Sequence, residues 1–387
     1  AYELSLGLVG SEMCIRDSIR YGVGDPVEQW LYETFVLDAE PAKLSQRDLE
    51  DVERGNLVFE KLDLEKLFLG DDEDLRGFMG IYTFAHYRNN PRDLLLLADI
   101  PNQLAFAIRT ASDHSIVGAL HVAMEGGLAE DQIRVIEEHP SMPGNIFPTT
   151  MVGYYSFSEF AMQRGLRVVR IATHPSVMRQ GIGTYALKML ERYALENGFS
   201  WVGAGFGANP ELMRFWLKNG YKPFHVSPHR NKQTGEYTVF VIKPFDPSLE
   251  RIVDDIARLA KERLAIEMDN FYLHMDPEVA VEIFEASKHP YSLPILELEK
   301  RKLQSYMKGK LSYPAVSEVL YKLVTQFFVR GGGEYSLDAK RILVEKVLKK
   351  KRWSKAMKDL RMDEKEFFTL MDSTLLDLAR RAVEGED

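Results

Sequence analysis

Between Gly165 and Tyr221 the chain runs through strand, glycine turn, helix and strand, a succession that leaves few folds open. Arg167–Thr173 concentrates valine and isoleucine in a short bounded run, the pattern of a strand. His174-Pro175 ends it, since proline offers no ladder donor. The loop Ser176–Gln180 leads into Gly181-Ile182-Gly183, after which Ile182, Ala186, Leu190, Tyr193 and Ala194 recur on one helical face. Lys188, Glu191, Arg192 and Glu196 take the other face, and Asn197-Gly198 stops the helix. Trp201–Phe206 reads as the next strand. The domain around this element is expected to be α/β.

Glycines let a backbone approach a ligand closely, and the first N–H groups of a helix have no partner inside it. Several such donors aimed at one place suit a pyrophosphate. A P-loop lysine is missing, as is the acidic ribose partner of a dinucleotide fold. The second strand leads instead to NPELMRFWLKNGYKP, a short amphipathic helix closing at Gly220-Tyr221. This arrangement resembles the coenzyme-binding half of the GCN5-related N-acetyltransferases, whose R/Q-x-x-G-x-G/A loop holds the acetyl-CoA pyrophosphate. The pattern falls on Met178 to Gly183, with methionine where the family has arginine or glutamine. Backbone amides do most of the binding in such a loop, and Arg179 and Gln180 are side-chain donors beside it.

The chain has 387 residues, enough for two or three domains. A net charge of −9 argues against a wholly basic nucleic-acid binder, so any RNA contact needs a local patch. One cysteine, Cys14, excludes a disulfide framework or a cysteine zinc site and fits a reducing cytoplasm. No segment has the apolar length of a membrane span, and the nine histidines show no metal-ligand spacing, so neither membrane nor metal is expected. Ala1–Ser18 lacks the charged start and cleavage site of a signal peptide. It resembles translated adapter read-through, so the native chain is expected from Ile19 as a piece of something longer.

Residues 19–76 read as a helical connector. Asp25-Pro26 forms an N-cap, one or two short helices follow, and the acidic run Asp71–Asp74 ends it. Residues 77–245 behave as one α/β unit. It has strands at Leu104–Thr110 and Ile116–Met124 around the turn Ser112-Asp113-His114, and an antiparallel pair at Lys222–Val226 and Tyr237–Ile242. Ala129–Ser158, with Pro140, Pro143 and Pro148, reads as a long irregular insert, and inserts of this kind more often bind than pack. Residues 246–387 turn all-helical. Their last part is locally basic, with Lys349, Lys350, Lys351, Arg352 and Lys355 around Trp353 in a layout of helix, turn at Arg361–Asp363, helix. That is either a solvated face or a phosphate-tracking surface.

Six segments carry a narrower resemblance: IRYGVGDPVEQWLYETFVLDAEP, TFAHYRNNPRDLLLLADIPNQ, IVGALHVAMEGGLAED, RVVRIATHPSVMRQGIGT, GFGANPELMRFWLKNGYKPFHVSPHRN and LSYPAVSEVLYKLVTQFF. Spanning Ile19 to Phe328 in family order, they resemble the C-terminal half of the tRNA(Met) cytidine acetyltransferases. The resemblance implies a mixed-sheet GCN5-related acetyltransferase domain followed by an all-α domain that contacts tRNA. The implied reaction is acetyl transfer from acetyl-CoA to the N4 amine of cytidine, giving N4-acetylcytidine. ATP and Mg enter the family only through an upstream helicase-like module, and no G-x-x-x-x-G-K-[ST] occurs here.

By the same resemblance Ile171, Ala172 and Thr173 line the thioester and pantetheine arm, and Met178, Arg179, Gln180, Gly181, Ile182, Gly183 and Thr184 cradle the pyrophosphate. Glu211 and Lys218 match CoA-contacting positions, lysine standing where bacterial members have arginine. His86, in AHYRNNP, is the candidate catalytic or substrate-orienting residue, with a helix-end structural histidine as the alternative. Arg230, with His225, His229 and Asn231, lies toward the expected acceptor side, and Tyr154, Tyr155 and Phe157 are candidate stacking residues for an extruded base. Arg170 either meets RNA phosphate or pairs within the sheet. Two other functions compete: a protein or small-amine N-acetyltransferase, and an RNA-binding fragment without turnover.

Overall fold

The computed structural model describes residues 22, 24–70, 72–84, 91–139, 144–232 and 234–385. The segment Ala1–Ser18 and the candidate residue His86 lie outside them. Two compact units divide the chain, one taking residues up to Val122 with Arg170–Ala186, the other Ala123–Val169 with Leu187 onward.

The elements run α1 (Pro26–Phe35), α2 (Gln46–Arg54), β1 (Leu57–Lys61), α3 (Leu64–Leu69), α4 (Asp72–Phe84), α5 (Pro91–Asp99), β2 (Gln103–Thr110) and β3 (Ile116–Glu125). Then come α6 (Glu130–Glu138), α7 (Ile146–Tyr155), β4 (Gly165–Thr173), α8 (Ile182–Glu196), β5 (Trp201–Gly207), α9 (Pro210–Lys218), β6 (Lys222–Arg230) and β7 (Tyr237–Pro244). The strand order is β1-β2-β3-β4-β5-β7-β6, and the sheet is mixed, because β4 and β5 pair parallel while β1–β2, β5–β7 and β6–β7 pair antiparallel.

In the first unit, β1 corrects the sequence reading. Leu57–Lys61 was expected within short helices of a connector, yet it pairs with β2 from Leu57↔Thr110 to Lys61↔Phe106. Pairing with a buried strand overrides the weak local pattern of LVFEK. Helix α2 starts with a capping box, in which Ser45 Oγ accepts from Asp48 N and Asp48 Oδ2 accepts from Ser45 N at 2.8 Å. The same carboxylate reaches the β2–β3 turn, accepting from Thr110 Oγ1 at 2.6 Å and Ser115 Oγ at 3.0 Å. Burial pushes its pKa up, but these hydrogen bonds outweigh burial and leave it below the usual carboxylate range. Phe78, Ile81, Tyr82, Ala105, Ala107 and Ala172 are buried in the main core of this unit.

In the second unit, Trp201 lies stacked against Phe147 and Phe160 at centroid distances of 4.8 and 5.3 Å. The expected irregular insert is largely regular, for it forms α6 and α7. Pro148 is accommodated because it falls in the first turn of α7, where its missing N–H would have had no helical partner. Glu125 at the end of β3 anchors that turn, accepting from Phe147 N at 2.8 Å and from Arg167 Nε at 2.5 Å. Its carboxylate has no exposure, and burial raises its pKa against the pull of Arg167.

From Pro247 the chain is helical: α10 (Pro247–Ile266), α11 (Pro277–Glu285), α12 (Glu297–Met307), α13 (Tyr313–Val329), α14 (Leu337–Ile342), a π-helical stretch Leu343–Leu348, α15 (Trp353–Leu360) and α16 (Glu364–Glu384). Arg361 is left-handed at φ 57° and makes the turn between the last two. Among the described residues no helix is long and apolar enough to cross a membrane.

Candidate functional site

The glycine turn forms as a helix start. Gly181, at φ 89°, accepts from Tyr185 N at 2.9 Å, so its carbonyl closes the first turn of α8 and the amides of Ile182, Gly183 and Thr184 are the first donors, which have no partner inside the helix. Two contacts seat this end on the sheet. Ile182 is buried with Ile108 and Val117, and a Cβ on Gly118 of β3 would come within 3.1 Å of Ile182 Cγ2. A side chain at 118 would therefore press on the Ile182 and Ile108 side chains, which pack this helix start on the strand. Met178, Arg179, Gln180 and Gly181 are exposed, so none of the described residues of this unit covers the turn.

His174 holds the loop before it. Nδ1 accepts from Ser176 N at 3.2 Å and Nε2 donates to Ala42 O at 2.7 Å, which fixes one neutral tautomer and makes it structural. The parallel ladder of β4 with β5 covers only Gly165–Val168, so Ile171, Ala172 and Thr173 take no part in it. Ala172 is buried, while Ile171 and Thr173 are partly exposed.

In the second unit Glu211 and Lys218 sit in the first and last turns of α9, both exposed. Seven residues are about two helical turns, so they share a face. Asn209 caps this helix by accepting from Leu212 N at 2.9 Å.

Two polar networks escaped the sequence reading, because their members are distant in the chain. In the first unit Tyr82 Oη lies 2.9 Å from His121 Nδ1 and His121 Nε2 lies 2.6 Å from Gln103 Oε1. The Gln103 acceptor requires a proton on Nε2, so Tyr82 donates to Nδ1. Arg170 lies over the Tyr82 ring at 4.6 Å, a cation–π contact within this unit.

The second network surrounds His225 on β6. Tyr155 Oη donates to Phe224 O at 2.8 Å, Arg263 Nη2 donates to Val226 O at 2.9 Å, and Tyr272 Oη donates to the same carbonyl at 3.0 Å. Tyr154 keeps half of its surface exposed and meets the His225 ring edge-on at 4.4 Å. Phe157 packs against the Trp201 core instead. Burial, then the Arg263 charge, pushes the His225 pKa down to about 3.

Between that value and an unfolded pKa of about 6.5 the unfolded chain binds a proton that the folded chain refuses, so stability falls as pH drops through this window. His225→Phe removes that titration. Melting curves from pH 7 to pH 4 are expected to fall less steeply for His225→Phe than for the wild type, and equal slopes would contradict this.

The basic tail is mostly spent on ion pairs. Lys349 was expected at an RNA surface, but its side chain is 1% exposed and donates to Glu345 Oε1 at 2.6 Å and Met275 O at 2.5 Å. Lys349 follows the π-helical turn with its ammonium buried, which excludes it from a phosphate-tracking face. Lys351 pairs with Glu345 and Asp359, Lys355 with Asp359, and Lys350 with Asp269 at 2.8 Å. Arg352 is exposed at the start of α15, and Arg230 Nε donates to Gly235 O at 2.7 Å across the β6–β7 turn. No group of three or more histidine, cysteine, aspartate or glutamate residues among the described residues could hold a metal.

A mixed sheet that carries a glycine-started helix after its fourth strand defines an acetyltransferase domain of the GCN5-related class. Residues 77–200 and 195–246 match the family model described as GNAT acetyltransferase 2. The tRNA(Met) cytidine acetyltransferase TmcA of Pyrococcus furiosus is 39% identical over 374 residues, covering 95% of this chain and 45% of that protein. That of Methanopyrus kandleri is 39% identical over 348 residues, covering 89% and 41%, and TmcA 2 of Saccharolobus solfataricus is 31% identical over 366 residues, covering 94% and 46%. The chain belongs to the tRNA(Met) cytidine acetyltransferase family. It spans less than half the length of these curated relatives.

Proposed function

We propose that this chain carries the acetyl-transfer half of an RNA cytidine N4-acetyltransferase, with tRNA as substrate and the cytoplasm as its compartment. The observation that carries the reading is the exposed Gly181 turn that opens α8, whose first amides have no partner inside the helix, on a chain 39% identical to a protein named for this activity. Met178–Thr184 hold the pyrophosphate of acetyl-CoA, Ile171–Thr173 receive its pantetheine arm, and Glu211 with Lys218 contact the carrier from α9. ATP and Mg belong to the part of the longer relatives that this chain does not span.

In the reaction the cytidine N4 attacks the thioester carbon, the C–S bond breaks, and the thiolate leaves. The amine is conjugated with its ring and poorly basic, so positioning and stabilisation of the thioester oxygen must supply most of the rate. The amine also loses a proton, and His86 is the residue we assign to take it or to orient the acceptor. The target base must be unpaired, since pairing engages N4.

The test is incubation of the purified chain with labelled acetyl-CoA and, in parallel, a tRNA transcript, peptides and a polyamine, followed by nuclease digestion and mass spectrometry. Label in N4-acetylcytidine is expected. Label in peptide or amine would replace this reading with the protein or small-amine acetyltransferase. Saturable acetyl-CoA binding without transfer would leave an RNA-binding fragment that lacks turnover.

A further inference from the structure

A cavity of about 670 Å³ opens in the helical part of the second unit, between α13, the π-helical stretch and the start of α15. That volume falls within the range of about 300–1,000 Å³ of small-molecule sites. Its walls include three aromatic rings, Tyr313, Tyr321 and Trp353, and three lysines, Lys322, Lys346 and Lys350. Tyr313 and Trp353 meet edge to face at 5.1 Å and form one corner.

The lysines differ in how they are neutralised. Lys322 pairs with Glu299 at 2.6 Å and Lys350 with Asp269 at 2.8 Å. Glu318, the carboxylate in the lining, is taken by Lys302. Lys346 has no carboxylate partner among the described residues. Its ammonium lies 4.1 Å from the Trp353 ring centre and 5.4 Å from that of Tyr313, and it donates to Lys351 O at 2.7 Å. The residue is 8% exposed, and burial lowers its pKa with no opposing carboxylate. A cation withdrawn from water without a counter-ion is costly unless something negative comes to it.

The backbone that presents this lysine is also unusual. Leu343–Leu348 is π-helical, a rare conformation that is frequent at functional sites, and Lys350 follows in the left-handed region at φ 53°. An L-residue there is strained by its own Cβ. Two costly departures in eight residues bring Lys346 and Lys350 to one wall of one cavity.

Lys346 lies over the rings of Trp353 and Tyr313 and Lys350 over that of Tyr321, so each aromatic wall comes with its own cation. An unpaired nucleotide brings both a base for the free ring surface and a phosphate for the ammonium groups. A base gains by stacking on such rings, and a phosphate supplies the missing negative charge. We propose that this cavity holds one unpaired nucleotide of the RNA substrate, its base against Tyr313, Tyr321 and Trp353 and its phosphate against Lys346 and Lys350. The proposal rests on the RNA reading above. The pocket would grip the RNA at a second point and favour molecules whose loops carry extruded bases.

The test uses the whole chain, a tRNA transcript, a single-stranded oligonucleotide and a blunt RNA duplex, with binding followed by fluorescence anisotropy from 50 to 200 mM salt. Lys346→Met keeps the aliphatic stem and removes the charge. It is expected to weaken single-stranded binding about tenfold and to lower the salt slope by about one. Duplex binding and the acetyl-CoA Kd should stay unchanged, and the melting temperature should not fall, because a buried cation has been removed. Lys346→Arg should recover most of the affinity, and Tyr321→Leu should weaken single-stranded binding as well. Wild-type affinity and slope in Lys346→Met would overturn the pocket and leave the RNA reading standing. A wild-type chain that binds no RNA would overturn both, and preferential binding of an acidic peptide through Lys346 would assign the cavity to another partner.

Discussion

Glu345→Ala is expected to cost the helical region about 3–5 kcal/mol, the loss typical when one partner of a buried ion pair is removed. Glu345 is 2% exposed at its side chain, and its two oxygens accept from Lys349 at 2.6 Å and Lys351 at 2.5 Å. Lys351 keeps Asp359 at 2.9 Å when Glu345 is gone, but Lys349 keeps, among the described residues, the Met275 carbonyl alone as a hydrogen-bond acceptor. Burial already lowers the Lys349 pKa, and the Glu345 charge is what opposes that shift most. Without it, Lys349 must deprotonate or draw water into the core. The double variant Glu345→Leu with Lys349→Met exchanges the pair for apolar volume and is expected to regain most of the loss. Thermal and urea unfolding of the two variants test this, and a single variant that melts with the wild type would show the pair to be solvated.

This pair also shows why part of the chain could not be read in advance. Lysines 349–351 form an unbroken run in the sequence, and such runs are usually surface. Their separation into a buried lysine, a bridging lysine and a cavity-lining lysine depends on a π-helical turn, which no residue pattern announces. The strands and helix around Gly181 were legible because local chemistry and tertiary packing agree there: a β-branched run, proline, glycine, an amphipathic helix and Asn-Gly follow one another. β1 was illegible for the opposite reason, since Glu60 and Lys61 mask a strand that exists only through its partner β2. The helices of the 129–158 insert were hidden by prolines, one of which sits where a helix tolerates it. The His225 network draws on residues 154, 155, 225, 263 and 272, so only the fold could assemble it.

Gly181→Asp tests the carrier site directly, and we expect it to raise the acetyl-CoA Kd by about two orders of magnitude. Space is not the obstacle, because a Cβ at 181 meets no atom within 4 Å. The positive φ adds strain of about 1–2 kcal/mol, and an acidic residue at a helix start returns part of it by capping the first amides. The fold should therefore survive with a small change in melting temperature. Binding should not. A carboxylate at this position competes for the same amides as a diphosphate and repels it. Unit charges about 4 Å apart interact by about 4 kcal/mol at an effective dielectric of 20, and screening at an exposed turn leaves about 2–3 kcal/mol, or roughly a hundredfold in Kd. Gly181→Ser offers a hydroxyl cap without the charge and should cost about tenfold, so the pair of variants separates repulsion from competition for donors. Calorimetric titration of both with acetyl-CoA reads the difference. If Gly181→Asp binds acetyl-CoA like the wild type, the pyrophosphate lies elsewhere and the assignment of Met178–Thr184 is wrong.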